Sequence, residues 1–295
     1  MKKVEEWTIA YRHRQGDQLL IDDRESPFKT IPNTWRYWCA DPHLLEWDGD
    51  TYVFAELYDR VLRRGVIGCC QITDDGPTPW KVVLKTPSHL SYTHSFLSNG
   101  TVYMIPESYT AAEIAVYKAV SFPDKWEKVH TLASGYTAVD TTLFSVDGAS
   151  WLMTLRFDEA HTYLEVHRLE KDRPLSSPLV AKLDDADSRP AGNLFRYGGK
   201  LIRPAQDCNG SYGKALNFYH VTNVSSDRYE ETLLAKIGPE HIRSDLGGIP
   251  QGIHTYNVSD GYEIIDLKEY KIDLWAYLTR PVWFLWRRIK NLFRR

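Results

Sequence analysis

ADPHLLEWDGDTYVFAE, residues 40–56, sets two runs of apolar, aromatic and β-branched residues on either side of Asp48 and Gly49. An Asp-Gly pair tolerates the positive φ of a tight hairpin, so the stretch reads as two antiparallel strands joined by a short turn. The pattern returns as SYTHSFLSNGTVYMIPES (91–108), AVDTTLFSVDGASWLMTL (138–155), SRPAGNLFRYGGKLIRPAQD (188–207) and a shortened GIHTYNVSDGYEIIDL (252–267). The copies begin near Asp41, His94, Asp140, Arg189 and His254, roughly 45 to 65 residues apart. That period suits a four-stranded propeller blade. Between copies lie third-strand candidates (GVIGCCQI, AEIAVYKAV, YLEVHRL, ALNFYHV) and outer-strand candidates (WKVVLK, KWEKVHTL, YEETLLAKI). The N-terminal WTIAYRHR has no hairpin of its own and is assigned to the last blade. The expected fold is all-β, a five-bladed β-propeller over residues 1–271 followed by a basic amphipathic C-terminal helix over 272–295. An irregular β-sandwich is the competing architecture and predicts no such long-range period.

In a propeller the first strand of each blade lines the central channel, and the end of the second strand returns to the same mouth. The strand starts bring Asp41, His94, Asp140, Arg189 and His254 to that rim. The strand ends bring Glu56, Glu107, Arg203 and Asp207. Charges crowded into a concave site shift one another's pKa and are costly without a use. In RPAQDCNGSYG, Gly210 and Gly213 allow a tight loop, and Asn209, Ser211 and Tyr212 offer hydrogen-bonding groups to a sugar hydroxyl. An ordinary polar turn would read the same way, and Arg189 and Arg203 could equally serve only to pair with Asp140 and Asp207.

Composition sets bounds. Of 295 residues 43% are apolar and 25% charged, with 10 Trp and 18 Tyr, which suits a sizeable core and does not separate aromatic packing from sugar stacking. The net charge of −3 conceals six basic side chains and no acid over 274–295, which leaves −9 for the body and argues against nucleic acid as a partner. Cys39, Cys69, Cys70 and Cys208 fit no metal-ligand spacing and read as reduced packing residues. The N-terminus lacks the apolar run of a secretory signal, so a cytoplasmic location is expected.

At these motifs the chain resembles the five-bladed propeller glycosidases of glycoside hydrolase families 43 and 32. It is most similar to the N-terminal propeller domain of plant glucosamine inositolphosphorylceramide transferases and their bacterial relatives, over about residues 35–270. The resemblance implies that Asp41 is the base, that Asp140 tunes the acid and orients substrate, and that His254 stands in the channel beside a divalent cation or a water. It departs at the fourth blade, where the family's general acid is a Glu and this chain has Arg189, which cannot donate a proton at neutral pH. Glu107 and Asp207 are the candidates for that role, since glycosidic cleavage needs one protonated and one ionised carboxyl. Arg189 and Arg203 also suit a phosphate, and a phosphorylated leaving group needs little acid catalysis. Asp41, Asp140, Glu107 and Asp207 are thus the candidate catalytic residues; His94, Arg189, Arg203, Asn209, Tyr212 and His254 are the candidate binders of a sugar or sugar-phosphate. The expected function is cleavage or transfer of a glycosidic bond, with transfer in cell-surface glycan or glycolipid synthesis preferred. A non-catalytic glycan-binding or scaffolding propeller is the alternative.

In DLWAYLTRPVWFLWRRIKNLFRR, Pro281 favours a fresh helix start. Val282, Leu285, Trp286, Ile289, Leu292 and Phe293 then recur at helical spacing among arginines. Such a segment is expected to lie on an anionic membrane through residues 274–295, peripherally at the inner face, or else to dock on the propeller or a partner.

Overall fold

The computed structural model describes residues 3–170, 175, 178–183 and 187–272. The segment expected as a basic helix falls almost wholly outside these residues; the last described strand ends at Ile272. Strands β1 (Lys3–His13) and β2 (Lys29–Ile31) open the chain. The first blade follows as β3 (Tyr37–Trp47), β4 (Asp50–Asp59) and β5 (Arg64–Thr73), with β6 (Gly76–Pro77) and β7 (Lys81–Leu84) both on the outer side of β5. The second runs β8 (Ser91–Ser98), β9 (Thr101–Ser108), β10 (Glu113–Ser121), β11 (Lys125–Ser134), and the third β12 (Ala138–Val146), β13 (Ala149–Phe157), β14 (Thr162–Arg168), β15 (Leu179–Leu183). The fourth comprises β16 (Phe195–Tyr197), β17 (Lys200–Asp207), β18 (Ala215–Val224) and β19 (Tyr229–Ile237). In the fifth, β20 (Tyr256–Val258) and β21 (Tyr262–Ile272) are completed by β1 and then β2.

The fifth blade closes the ring. Pairing of β1 with β21 runs unbroken from Lys3↔Ile272 to His13↔Tyr262, so the N-terminal strand is the third of the last blade, as its lack of a hairpin implies. Each blade must bury both faces, and the buried apolar residues accordingly form one cluster per junction. Ile9, Ile31 and Ile264 of blade five meet Val53, Leu57 and Val66 of blade one, and Phe54 and Ile67 of blade one meet Met104 and Ala115 of blade two. Ile105, Ile114 and Ala138 join blades two and three, Met153 and Leu164 face Leu194 and Val224, and Phe218 and Ile202 pack on Tyr256 and Leu267. Four free cysteines are present, and Cys39, Cys69 and Cys70 are buried in these junctions.

Candidate functional site

Three inner strands carry an extra residue where they reach the mouth. Ala40 pairs with Glu56 but His43 with Phe54; Ser91 pairs with Glu107 but Thr93 with Pro106; Val139 pairs with Leu155 but Thr142 with Met153. The residues on these bulges, Asp41, Tyr92 and Asp140, have φ of 51°, 29° and 53°. A bulge re-aims a side chain out of the ladder, and aspartate visits the left-handed region at less cost than most residues. Two acids are thereby turned inward at the start of blades one and three.

Asp41 belongs to an ion triplet. Its Oδ1 lies 3.1 Å from His254 Nε2 and accepts from Thr255 Oγ1 at 3.1 Å, while Oδ2 accepts the Tyr92 N–H at 3.2 Å. The other ring nitrogen, Nδ1, lies 2.8 Å from Asp266 Oδ2. Burial opposes a charged imidazole, but Asp266 and Asp41 outweigh it and raise the His254 pKa to about 10. Burial likewise opposes the Asp41 carboxylate, and His254, Arg189 and the Tyr92 amide overcome it, so its pKa falls below the usual value. The imidazolium packs on Trp7, with ring centroids 3.9 Å apart.

Asp41, His254 and Asp266 converge closely enough to suggest a metal triad. In the structure the same atoms are engaged with one another and with the backbone. Both nitrogens of a ring that stays protonated face carboxylates, Asp266 Oδ1 accepts the His254 and Thr255 amides at 3.1 and 2.9 Å, and its Oδ2 accepts the Asp41 amide at 3.0 Å. The positive charge between the two carboxylates is supplied by His254 itself.

Across the mouth Arg189 grips Asp140, donating from Nε to Oδ2 and from Nη2 to Oδ1 at 3.3 Å, and Gln206 Nε2 donates to Oδ2 at 3.1 Å. Glu107 Oε2 accepts the Asp140 N–H at 3.2 Å and lies 3.9 Å from Arg189 Nη2. Burial raises the Glu107 pKa well above the usual range, and Asp140 adds to the rise against the pull of Arg189. Tyr212 stands over this group: its ring is 5.3 Å from the Arg189 guanidinium and 5.2 Å from His254. The mouth therefore holds a carboxylate favoured in its charged form at Asp41, a carboxyl pushed towards its neutral form at Glu107 and a guanidinium with unspent N–H groups at Arg189.

Register explains which residues arrive here. Seven residues after the turn glycines 49, 100, 199 and 261 stand Glu56, Glu107, Gln206 and Lys268. Glu56, a strand-end acid, is buried with no hydrogen bond to Oε1; His89 Nε2 lies 3.3 Å away, and burial, then Asp41 and Glu107, raise its pKa well above the usual range. Lys268 is fully buried, donates to the Tyr212 carbonyl and lies 5.5 Å from the Trp7 ring. Gln206, Lys268, Asp266 and Trp7 were not singled out from the sequence.

Other candidates take different places. His94 sits one layer down the channel with His43, where His43 Nε2 and His94 Nδ1 both contact Asn193 Oδ1, at 2.7 and 2.9 Å. The remaining nitrogens contact Ser95 Oγ at 3.0 Å and the Leu143 N–H at 3.3 Å, so His94 has no ring nitrogen left for a ligand. Burial lowers the pKa of both, to about 4 for His43, and the pair is neutral. Arg203 is fully buried in a bidentate pair with Glu231, 2.6 Å at each nitrogen, and Asp207 pairs with Lys236 and accepts the Asn209 N–H at 2.9 Å. These are ties from β17 to β19 and to its following turn, not contacts of the mouth. Asn209 is exposed in that turn. Alternate strand residues point to opposite faces, so Gln206 rather than Asp207 reaches Asp140.

A closed five-bladed ring with acids, a guanidinium and aromatic rings at one mouth defines a five-bladed β-propeller with a charged site at its channel. The chain belongs to the family described as "Glucosamine inositolphosphorylceramide transferase 1, N-terminal", whose model matches residues 32–242. It is 30% identical over 207 residues to glucosamine inositolphosphorylceramide transferase 1 of Oryza sativa subsp. indica, and 30% identical over 204 residues to that of Arabidopsis thaliana. These alignments cover 65% of this chain and 27% and 26% of the relatives, so the chain spans about a quarter of their length. Among solved structures, the catalytic domain of the Coprinopsis cinerea GH62 alpha-L-arabinofuranosidase is similar at a TM-score of 0.56 and 16% identity, covering 74% of this chain and 76% of that one. A thermostable family-43 glycoside hydrolase matches at 0.54 and 11%, covering 82% and 93%. At such identities the likeness is one of fold.

Proposed function

We propose that the chain is a carbohydrate-active enzyme that makes or breaks a glycosidic bond at the propeller mouth, with glycosyl transfer in cell-surface glycan or glycolipid synthesis as its reaction. The observation that carries this reading is that Asp41 and Glu107 face one mouth in opposite environments, His254 and Arg189 lowering the pKa of Asp41 and burial raising that of Glu107. Environments that push two carboxyls apart in pKa assign a base and an acid. In transfer, Asp41 takes the proton of an acceptor hydroxyl as its oxygen bonds to the anomeric carbon. The bond from that carbon to a phosphate oxygen breaks, and the departing negative charge meets Arg189, whose Nη1 is free of the Asp140 pair. The names of the curated relatives favour transfer, and those of the structural neighbours favour hydrolysis.

A second reading, a glycan-binding module without chemistry of its own, is favoured by Arg189, which cannot donate a proton, at the fourth-blade position where the glycosidase pattern has a Glu. Turnover of nucleotide sugars, sugar phosphates and aryl glycosides by the wild type and by Asp41→Asn separates the two. Loss of about 10²–10⁴-fold in Asp41→Asn, the range for a general base, supports catalysis. Equal product from both proteins removes the catalytic assignment, and sugar retention without any turnover in the wild type establishes the binding module.

A further inference from the structure

The mouth face is not uniform around the ring. On the side of blades five and one it bears exposed apolar tips: Trp35 is 73% exposed, Val61 51% and Leu62 54%, with Tyr270 and Ile272 beside them. Trp35, Tyr270 and Ile272 line a groove of about 1070 Å³ together with Trp38 and Tyr58, and Trp7 joins it to the catalytic mouth. Cations stand among the tips. Arg63 and Lys271 line the same groove beside Glu5 and Glu6, Lys271 Nζ lies 3.1 Å from Glu269 Oε2, and Arg36, its side chain 40% exposed, pairs with Asp59.

The tips are held rigidly. Asp59 Oδ1 accepts the Val61 and Leu62 amides at 2.9 and 3.0 Å, and its Oδ2 accepts Arg36 Nε at 2.9 Å. Arg60 donates to the Thr34 and Trp35 carbonyls at 2.6 and 3.1 Å and forks onto Glu6 at 2.8 Å through each nitrogen. The 33–36 loop, the 60–63 turn and β1 are thus one unit, whose polar groups are consumed at its base while its apolar side chains project. A protruding apolar cluster of this size is costly in water and marks a docking surface.

We propose that this rim rests on a phospholipid bilayer, Trp35, Val61 and Leu62 entering the headgroup–acyl boundary and Arg63 meeting phosphates. Two features favour lipid over a saccharide in the groove. Val61, Leu62 and Ile272 are aliphatic and offer no ring face for a sugar to stack on. Trp and Tyr beside cations form the side-chain set that settles at headgroup depth. The rim adjoins Trp7 and Tyr212, so the mouth opens at the headgroup plane.

The test uses the full chain carrying Cys208→Ser, with an environment-sensitive nitrobenzoxadiazole label at Leu62→Cys or, as a control at a hairpin tip of the opposite face, at Leu97→Cys. Cys39, Cys69 and Cys70 are buried and take no label. Vesicles of phosphatidylcholine with about 30% phosphatidylglycerol should shift the label at 62 to the blue and leave that at 97 unchanged. Trp35→Ser combined with Leu62→Ser should weaken vesicle partition about tenfold, near 1.4 kcal/mol, with thermal unfolding unaltered. The proposal is overturned by an unshifted label at 62 while the chain sediments with vesicles, or by absence of sedimentation altogether. Unchanged partition with lost retention of soluble oligosaccharides would also overturn it and make the groove a glycan site. Vesicle contact is read without turnover, so an Asp41→Asn variant that still partitions and forms as much product as the wild type fails the catalytic reading alone.

Discussion

His254 shows how one residue sets the electrostatics of the mouth. An imidazole wedged between Asp41 and Asp266 and covered by Trp7 holds its proton far above the ordinary histidine range, at about 10. The folded state therefore binds a proton that the unfolded chain releases near 6.5. Stability from this group is present in full below that value and is lost as the pH climbs towards 10. Each tenfold difference in proton affinity is worth about 1.36 kcal/mol, so the melting temperature of the wild type should fall between pH 7 and 10. His254→Gln should melt lower at pH 6 and lack that slope; parallel wild-type and variant profiles would contradict the ion triplet. Asp41, Asp140, Glu107, Arg189 and His254 were legible because each stands at a strand end next to a hairpin motif. Asp207 ends β17 and Arg203 lies within it, but strand parity turns one towards Lys236 and the other towards Glu231. Counting seven from each turn glycine, instead of choosing the charged residue nearest the strand end, would have selected Gln206 and Lys268.

Among the elements, the connection between β17 and β18 carries the most constraint on the site, because Tyr212 is set over Arg189 by how closely this loop approaches blade five. Gly213, at φ 59°, and Gly252 leave no room for a side chain: a Cβ on Gly252 would lie 2.2 Å from the Gly213 carbonyl oxygen and 2.6 Å from Lys268 Cε. Backbone cannot yield as a flexible side chain would. Gly252→Ala should thus cost about 1–3 kcal/mol, as overpacking does. That lowers the melting temperature by roughly 2–4 °C per kcal/mol, and sugar binding should weaken as Tyr212 is displaced. Gly248→Ala, with nothing within 4 Å, serves as the control and should melt with the wild type. Hairpins were legible at this scale because Asp-Gly, Asn-Gly and Gly-Gly pairs mark their turns. The outer strands β15 and β2, five and three residues long, were not, since such short runs hold too little alternation to register.

For the whole molecule, the ring is closed through its own N-terminus, so fold and site stand or fall together. Strand β1 buries Trp7, Ile9, Ala10 and Tyr11, which pack against blade four on one side and blade one on the other. Each large apolar side chain withdrawn from water contributes about 1.5–3 kcal/mol, and the net stability of a domain is only about 5–15 kcal/mol. Removing the strand would expose those side chains, strip β21 of eleven paired residues and leave an open hydrophobic edge. Deletion of residues 1–13 should therefore abolish cooperative unfolding, yield a chain that binds hydrophobic dyes and eliminate sugar retention, since Trp7 no longer covers His254. Trp7→Phe, which keeps the strand and most of the packing, should instead retain a cooperative transition with weaker retention. A deletion variant that still melts in one step within a few degrees of the wild type would mean that four blades and a hairpin are self-sufficient. The mouth would then owe nothing to closure.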